Sequence, residues 1–172
     1  MKGAIIIMAE KPILKQPNSK RTETSPSSPV PTVSSAKQVV LPSISNPRDL
    51  DRLRAESAWS SIHTFKETQS EKICKKYGTL ARQMPTYIQI NGLGQSLAFL
   101  KAKNELHHQQ VLQHITDWFC RRYQWDEEST DLLKNLLDMS SQQYRLATSE
   151  ALAFLQWLKR FAEAELGSEE DK

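Results

Sequence analysis

Proline and aromatic residues divide this chain in two, and the division decides which part can fold. Seven of the eight prolines, from Pro12 to Pro47, fall at or before residue 47, whereas every Trp, Tyr and Phe stands at or after Trp59. A segment without aromatic side chains buries too little apolar surface to offset the entropy of ordering its backbone. Its run TETSPSSPVPTVSS is the serine, threonine and proline composition of unstructured tails. The expected organisation is a disordered Pro/Ser-rich tail over residues 1–45, a helical bundle domain over 46–166, and a frayed acidic end over 167–172.

Charge follows the same division. Residues 1–51 hold seven Lys/Arg and four Asp/Glu, net +3, and residues 52–172 hold 16 of each. The basic excess belongs to the tail, so any nucleic-acid-binding face on the folded part must be local. The two cysteines, Cys74 and Cys120, have no close Cys or His at metal or redox spacing and read as reduced core thiols. The apolar patch Ala4 to Met8 is too short for a signal-peptide core, and no apolar run is long enough to span a membrane. The address expected is cytoplasmic, with Met1 and Met8 both candidate starts.

From Asn46 onward the periodicity is helical. Asn46 can cap, Pro47 suits a first helical position and Asp49 the first turn, so a helix is expected from there to about Tyr77. Its apolar positions are Leu53, Trp59, Ile62, Phe65, Ile73 and Tyr77, with Gly78 a candidate break and Pro85 the expected stop. A second helix is expected over Tyr87–Lys103, with Ile90, Leu93, Leu97 and Leu100 on one face and Phe99 on the other. Gly92 and Gly94 cost about 1 kcal/mol each in a helix interior and suggest close approach of another backbone. Glu105–Tyr123 is the next, with Leu106, Val111, Ile115, Trp118 and Phe119 inward. Ser129 or Asp126 can cap a short helix carrying Leu132, Leu133, Leu136 and Leu137. Ser140 with Gln143 is a capping-box pattern opening the last helix.

That last helix, YRLATSEALAFLQWLKRFAEAEL (144–166), is apolar on two sides. One stripe is Tyr144, Ala147, Ala151, Leu155, Leu158 and Ala162; the other is Leu146, Ala153, Trp157 and Ala164. Both stripes are expected in the bundle core, the alternative being that one is shared with a partner. The fold class is all-α, a compact bundle of about five or six helices without strands.

Chemistry-bearing groups are sparse. His107 and His114 lie seven residues apart on one face, too far for one metal ion, and no carboxylate stands at HExxH spacing, so His107, His108 and His114 are expected at the surface. Glu127, Glu128 and Asp131 are read as loop and helix-start acids rather than a divalent-cation site. Asn91-Gly92 and Gly94 lack the frame of a phosphate loop. No catalytic residue, metal site or cofactor is expected, and no enzyme activity. Tyr123 and Trp125 are read as buried anchors rather than base-stacking platforms.

Two stretches together resemble a known family. NGLGQSLAFLKAK (91–103), preceded by ARQMPTYIQI, and the run 144–166 resemble the small all-helical subunit of the type III-B CRISPR effector, the fifth subunit of the Cmr complex. The resemblance covers roughly residues 50–166 and leaves the tail outside, as an added tether or a segment upstream of a later start. It implies a non-catalytic bundle. Its copies stack head to tail as a minor filament beside the backbone subunits that hold the guide RNA. Partners implied are the other Cmr subunits, copies of itself, and guide and target RNA within the complex, in antiviral defence. Cleavage of target RNA is implied for the backbone subunit. The family offers no catalytic motif, so RNA-facing residues are chosen from charge: Lys101, Lys103, Arg145, Lys159 and Arg160. The competing functions are a helical protein–protein adaptor without RNA contact and, more remotely, an RNA-cleaving enzyme using one of the three histidines.

Overall fold

A computed structural model describes residues 47–126 and 131–166. The segment 1–45, Asn46, Glu127, Glu128, Ser129, Thr130 and the acidic end 167–172 lie outside the described residues. Within them the chain forms six helices and no strand: α1 Pro47–Thr68, α2 Glu71–Asn91, α3 Leu93–Lys103, α4 Leu106–Tyr123, α5 Leu132–Leu137 and α6 Ser141–Glu165. No helix among them is long and apolar enough to cross a membrane.

The long first helix expected from the sequence is two helices. Thr68 Oγ1 donates back to the carbonyls of Thr64 and Phe65, closing the last turn of α1. Ser70 then takes an extended conformation, φ −70 and ψ 153, and starts α2 with Glu71 in its first turn. The corner puts Tyr77 against Phe65, ring centroids 4.5 Å apart. A straight helix would carry these two rings, twelve positions apart, far along one axis.

Gly78 and Pro85 do not interrupt α2; both are buried inside it. Pro85 forfeits one backbone hydrogen bond. Continuing past it carries Ile88 into the core and brings Tyr87 to Phe99, centroids 5.9 Å apart. Each fully buried Leu, Ile or Phe contributes roughly 1.5–3 kcal/mol, enough to offset a lost helical bond. The break falls instead at Gly92, where φ is +83 and ψ 161, a region essentially confined to glycine. Ile90 therefore belongs to α2 and is exposed, not part of the α3 stripe. Gly94 has the close approach that the glycines suggested, but to a side chain. Its N–H donates to Tyr144 Oη at 2.8 Å, and an added Cβ would stand 3.2 Å from that oxygen.

Asp131, rather than Ser129 or Asp126, caps α5, accepting from the amides of Leu133 and Lys134. The capping box at Ser140 and Gln143 is formed in both directions. α6 lies along α1 and α2, and α2 also packs on α4 and α3, so α2 is the central helix. The first stripe of α6 is buried from Ala147 to Ala162, with Phe154 stacked on Trp118 at 5.4 Å. Its second stripe is only partly in the core. Leu146 is 52% exposed and Ala164 exposed, whereas Ala153 is partly buried and Trp157 packs against the core, its Nε1 donating to Asp51 of α1. Leu106, expected inward, is likewise exposed, as are Trp59 and Leu137. Cys74 and Cys120 are buried, and neither is in a disulfide.

Candidate functional site

The five residues chosen from charge occupy separate places. Lys101 and Lys103 end α3, where cations suit the helix C-terminus. Lys101 Nζ pairs with Asp131 Oδ2 at 3.1 Å, and Lys103 Nζ stands 5.8 Å from the Phe99 ring centre. Arg145 lies at the start of α6 and Lys159 and Arg160 near its end, about 21 Å apart at 1.5 Å per residue. Those three make no ion pair among the described residues. It is the opposite end of α3 that meets α6, through Gly94 and Tyr144, so the structure does not bring the lysines of α3 to the cations at the end of α6. A groove of about 480 Å³ opens beside Lys101 and Asp131, against Gln109, Gln113 and Thr116 of α4.

All three histidines of α4 are buried, contrary to the surface position expected of them, because α4 is flanked by α2, α3, α1 and α6. His114 Nδ1 lies 2.7 Å from Tyr77 Oη. Burial pushes the His114 pKa down to about 4 and raises that of Tyr77 well above its ordinary value. Both groups are therefore neutral at pH 7 and share one hydrogen bond whose direction follows the His114 tautomer. His107 and His108 stand together at the first turn of α4, ring centroids 4.3 Å apart, with Glu105 Oε2 3.8 Å from His107 Nε2. Burial lowers the His108 pKa as well.

A polar node that no local pattern announces joins α1, α4 and α6. Arg54 donates to both carboxylate oxygens of Glu150, Nε to Oε1 at 2.8 Å and Nη2 to Oε2 at 2.7 Å. Trp118 Nε1 donates to Glu150 Oε1 at 3.1 Å, and Arg122 Nε stands 3.9 Å from Oε2. On the outer side Asp51 Oδ1 lies 3.7 Å from Arg54 Nη1 and accepts from Trp157 Nε1 at 3.0 Å. Glu150 raises the Arg54 pKa by hydrogen bonding and charge. The partners are 96 positions apart, which is why helical periodicity could not pair them.

Exposed or half-buried apolar side chains stand near both ends of α6, while Ile90, Phe99 and Leu106 are exposed on α2, α3 and α4. Near the C-terminal half of α6, Trp59 packs edge-on to Phe161 at 5.3 Å, and Phe161 stacks on Trp157 at 5.6 Å. Leu146 is exposed near the N-terminal end of α6, and Leu137, 84% exposed, is the last residue of α5. Tyr123 and Trp125 are stacked on each other and packed against Phe119, as anchors.

Fold and surface together define a small all-helical bundle with apolar side chains to spare. The family of CRISPR-associated proteins described as Cas_Cmr5 matches residues 50–165. The chain belongs to the Cmr5 family, and is thus a subunit of the Cmr complex of a type III-B CRISPR system. Among solved structures it is similar to a CRISPR-associated Cmr5 family protein from Thermus thermophilus, with 23% identity and a TM-score of 0.54, covering 68% of this chain and 96% of that one. At that identity the likeness speaks for the fold.

Proposed function

We propose that this chain is a non-catalytic small subunit of a type III-B ribonucleoprotein effector. Its copies stack head to tail beside the guide-RNA-bound backbone subunits and support target RNA binding. The observation that carries the reading is the apolar surface left uncovered toward both ends of α6, the ring cluster Trp59–Trp157–Phe161 at one and Leu146 at the other, with Leu137 exposed at the end of α5. A head-to-tail contact needs two unlike patches on each copy, whereas a two-fold contact needs one patch that complements itself. Arg145 lies next in sequence to one group, and Lys159 and Arg160 lie within the other, where phosphates can be met without a basic body. Lys101 and Lys103 are the further RNA-facing residues proposed, reached once Asp131 releases Lys101.

A mixing experiment tests the stack. Trp59→Asp and Leu137→Asp each spoil one patch and leave the other. Each variant alone is expected to remain monomeric at concentrations where the parent self-associates, and an equimolar mixture to recover a dimer and no larger species. Sedimentation velocity reads this directly. A parent that stays monomeric at every concentration, or a mixture that stays monomeric, overturns the head-to-tail reading. If either variant alone still dimerises, the contact is two-fold.

A further inference from the structure

We propose that Glu105, His107 and His108 form a site for a divalent transition-metal ion of the zinc class at the junction of α3 and α4. One ligand atom from each of the three residues lies within 4.8 Å of the others. The donor set is two imidazoles and one carboxylate, which suits Zn²⁺ and leaves a fourth position for water. Bonds of about 2.0–2.1 Å in a tetrahedral arrangement place donors about 3.3 Å apart, so the site must close by side-chain rotation. Glu105 Oε2 and His107 Nε2, at 3.8 Å, are within about half an ångström of that spacing already.

Two independent features mark the place. His108 is only 8% exposed, yet its Nδ1 is buried with no hydrogen-bond partner. A buried imidazole nitrogen left unpaired is uncommon, because the lost hydration is not repaid. Glu105 occupies the N-cap of α4 with φ −80 and ψ 150, but its side chain makes no capping hydrogen bond and so is available as a ligand. That extended backbone also explains why helical spacing misses the trio. The N-cap residue does not follow the 100° step of the helix, and its carboxylate swings back over the first turn. The neighbouring charges oppose a cation. Lys103 and Lys76 both act on His108, and the positive end of the α4 dipole lies beneath the rings. The affinity is therefore weaker than that of a closed structural zinc site.

The test uses the full chain without a histidine tag, stripped with a chelator and titrated calorimetrically with ZnCl₂. One ion per chain is expected. Glu105→Gln should weaken binding at least tenfold. The Glu105 side chain is about half exposed, so the substitution leaves the fold intact. His63→Ala is the control, since His63 Nδ1 and Glu67 Oε1 make a second His–carboxylate pair, 3.6 Å apart, on the surface of α1. It should leave the affinity unchanged. Co²⁺ in place of Zn²⁺ should give a visible absorption band that Glu105→Gln weakens in parallel. No stoichiometric binding, equal affinity in Glu105→Gln, or a loss on His63→Ala matching that on Glu105→Gln overturns the site. His107→Gln is a further variant. If circular dichroism shows it unfolded, Glu105→Gln alone decides.

Discussion

Replacing Glu150 with Gln keeps the shape of the node joining α1, α4 and α6 and removes only its negative charge. The carboxylate takes two charge-assisted bonds from Arg54 and one from Trp118, and stands 3.9 Å from Arg122. The side chains of Arg54, Glu150 and Arg122 retain only 14%, 10% and 12% exposure. Two guanidinium groups would then share the site with only the half-exposed Asp51 carboxylate, 3.7 Å from Arg54 on its outer side, as counter-ion, and the Gln NH₂ would face a guanidinium N–H. Breaking a buried pair from one side costs about 3–5 kcal/mol. The residual solvent access puts this case near the lower figure, about 3 kcal/mol. For a two-state domain of this size that is a fall in Tm of roughly 10–18 °C. Urea melts at pH 7 measure the free energy, and Arg54→Ala with Glu150→Ala completes a double-mutant cycle. The coupling expected for a bidentate charged pair is about 2–3 kcal/mol. A loss below about 1 kcal/mol in Glu150→Gln, or additive effects in the cycle, would show that the node is solvated and not holding the three helices together.

His114 supplies a pH dependence. Its folded pKa of about 4 lies below the unfolded value near 6.5, so between these the unfolded chain binds the extra proton and stability falls as pH drops. About 2 kcal/mol should be lost from pH 7 to pH 5 on this account, His108 acting in the same direction, and His114→Leu should flatten the curve over that interval. Gly92→Ala should cost about 1–3 kcal/mol in urea melts, because φ +83 with ψ 161 strains any L side chain although nothing stands within 4 Å of the added carbon. Replacing Lys101, Lys103, Lys159 and Arg160 together with Ala should weaken RNA association and lower its salt slope by about 0.7 for each phosphate no longer neutralised. An unchanged slope in a variant that melts normally refutes those residues as RNA contacts. The purified chain should leave labelled RNA intact with or without Mg²⁺, and cleavage abolished by any single His substitution would refute the non-catalytic reading.

What is legible in the sequence is what is settled within a turn or two of helix. The capping box at Ser140 and Gln143 and the buried stripe of α6 need only local spacing, and both form as read. Pro85 and the Thr68–Glu71 corner escape such a reading because tertiary packing overrides local preference there. The first is carried through by the burial of Ile88, and the second turns the chain so that Tyr77 meets Phe65. The histidines of α4 read as surface groups because a polar side chain at a helical position looks the same whether it faces water or Tyr77. Neither the Glu150 node nor the Glu105–His107–His108 trio follows a helical repeat. The first joins positions far apart in the chain, and the second turns on an N-cap residue off the helical step.

A bundle domain that carries 16 Lys/Arg against 15 Asp/Glu over residues 46–166 is an unpromising RNA partner only while one copy is considered. On α6, Arg145 and the pair Lys159 and Arg160 share one side of the helix at the two ends. A lone copy offers two small positive spots about 21 Å apart, each screened over about 8 Å at physiological ionic strength. In the proposed head-to-tail stack, Leu137 and Leu146 of one copy meet Trp59, Trp157 and Phe161 of the next. That contact carries Arg145 of the first copy toward Lys159 and Arg160 of the second, within one screening length if the patches dock face to face. The positive strip then exists only across the joint. RNA affinity should accordingly rise with self-association, and Leu137→Asp, which changes no cation in the set, should lower it as much as removing Arg145 does. Equal RNA binding by the monomeric Leu137→Asp variant and the parent would place the RNA contact within a single copy instead.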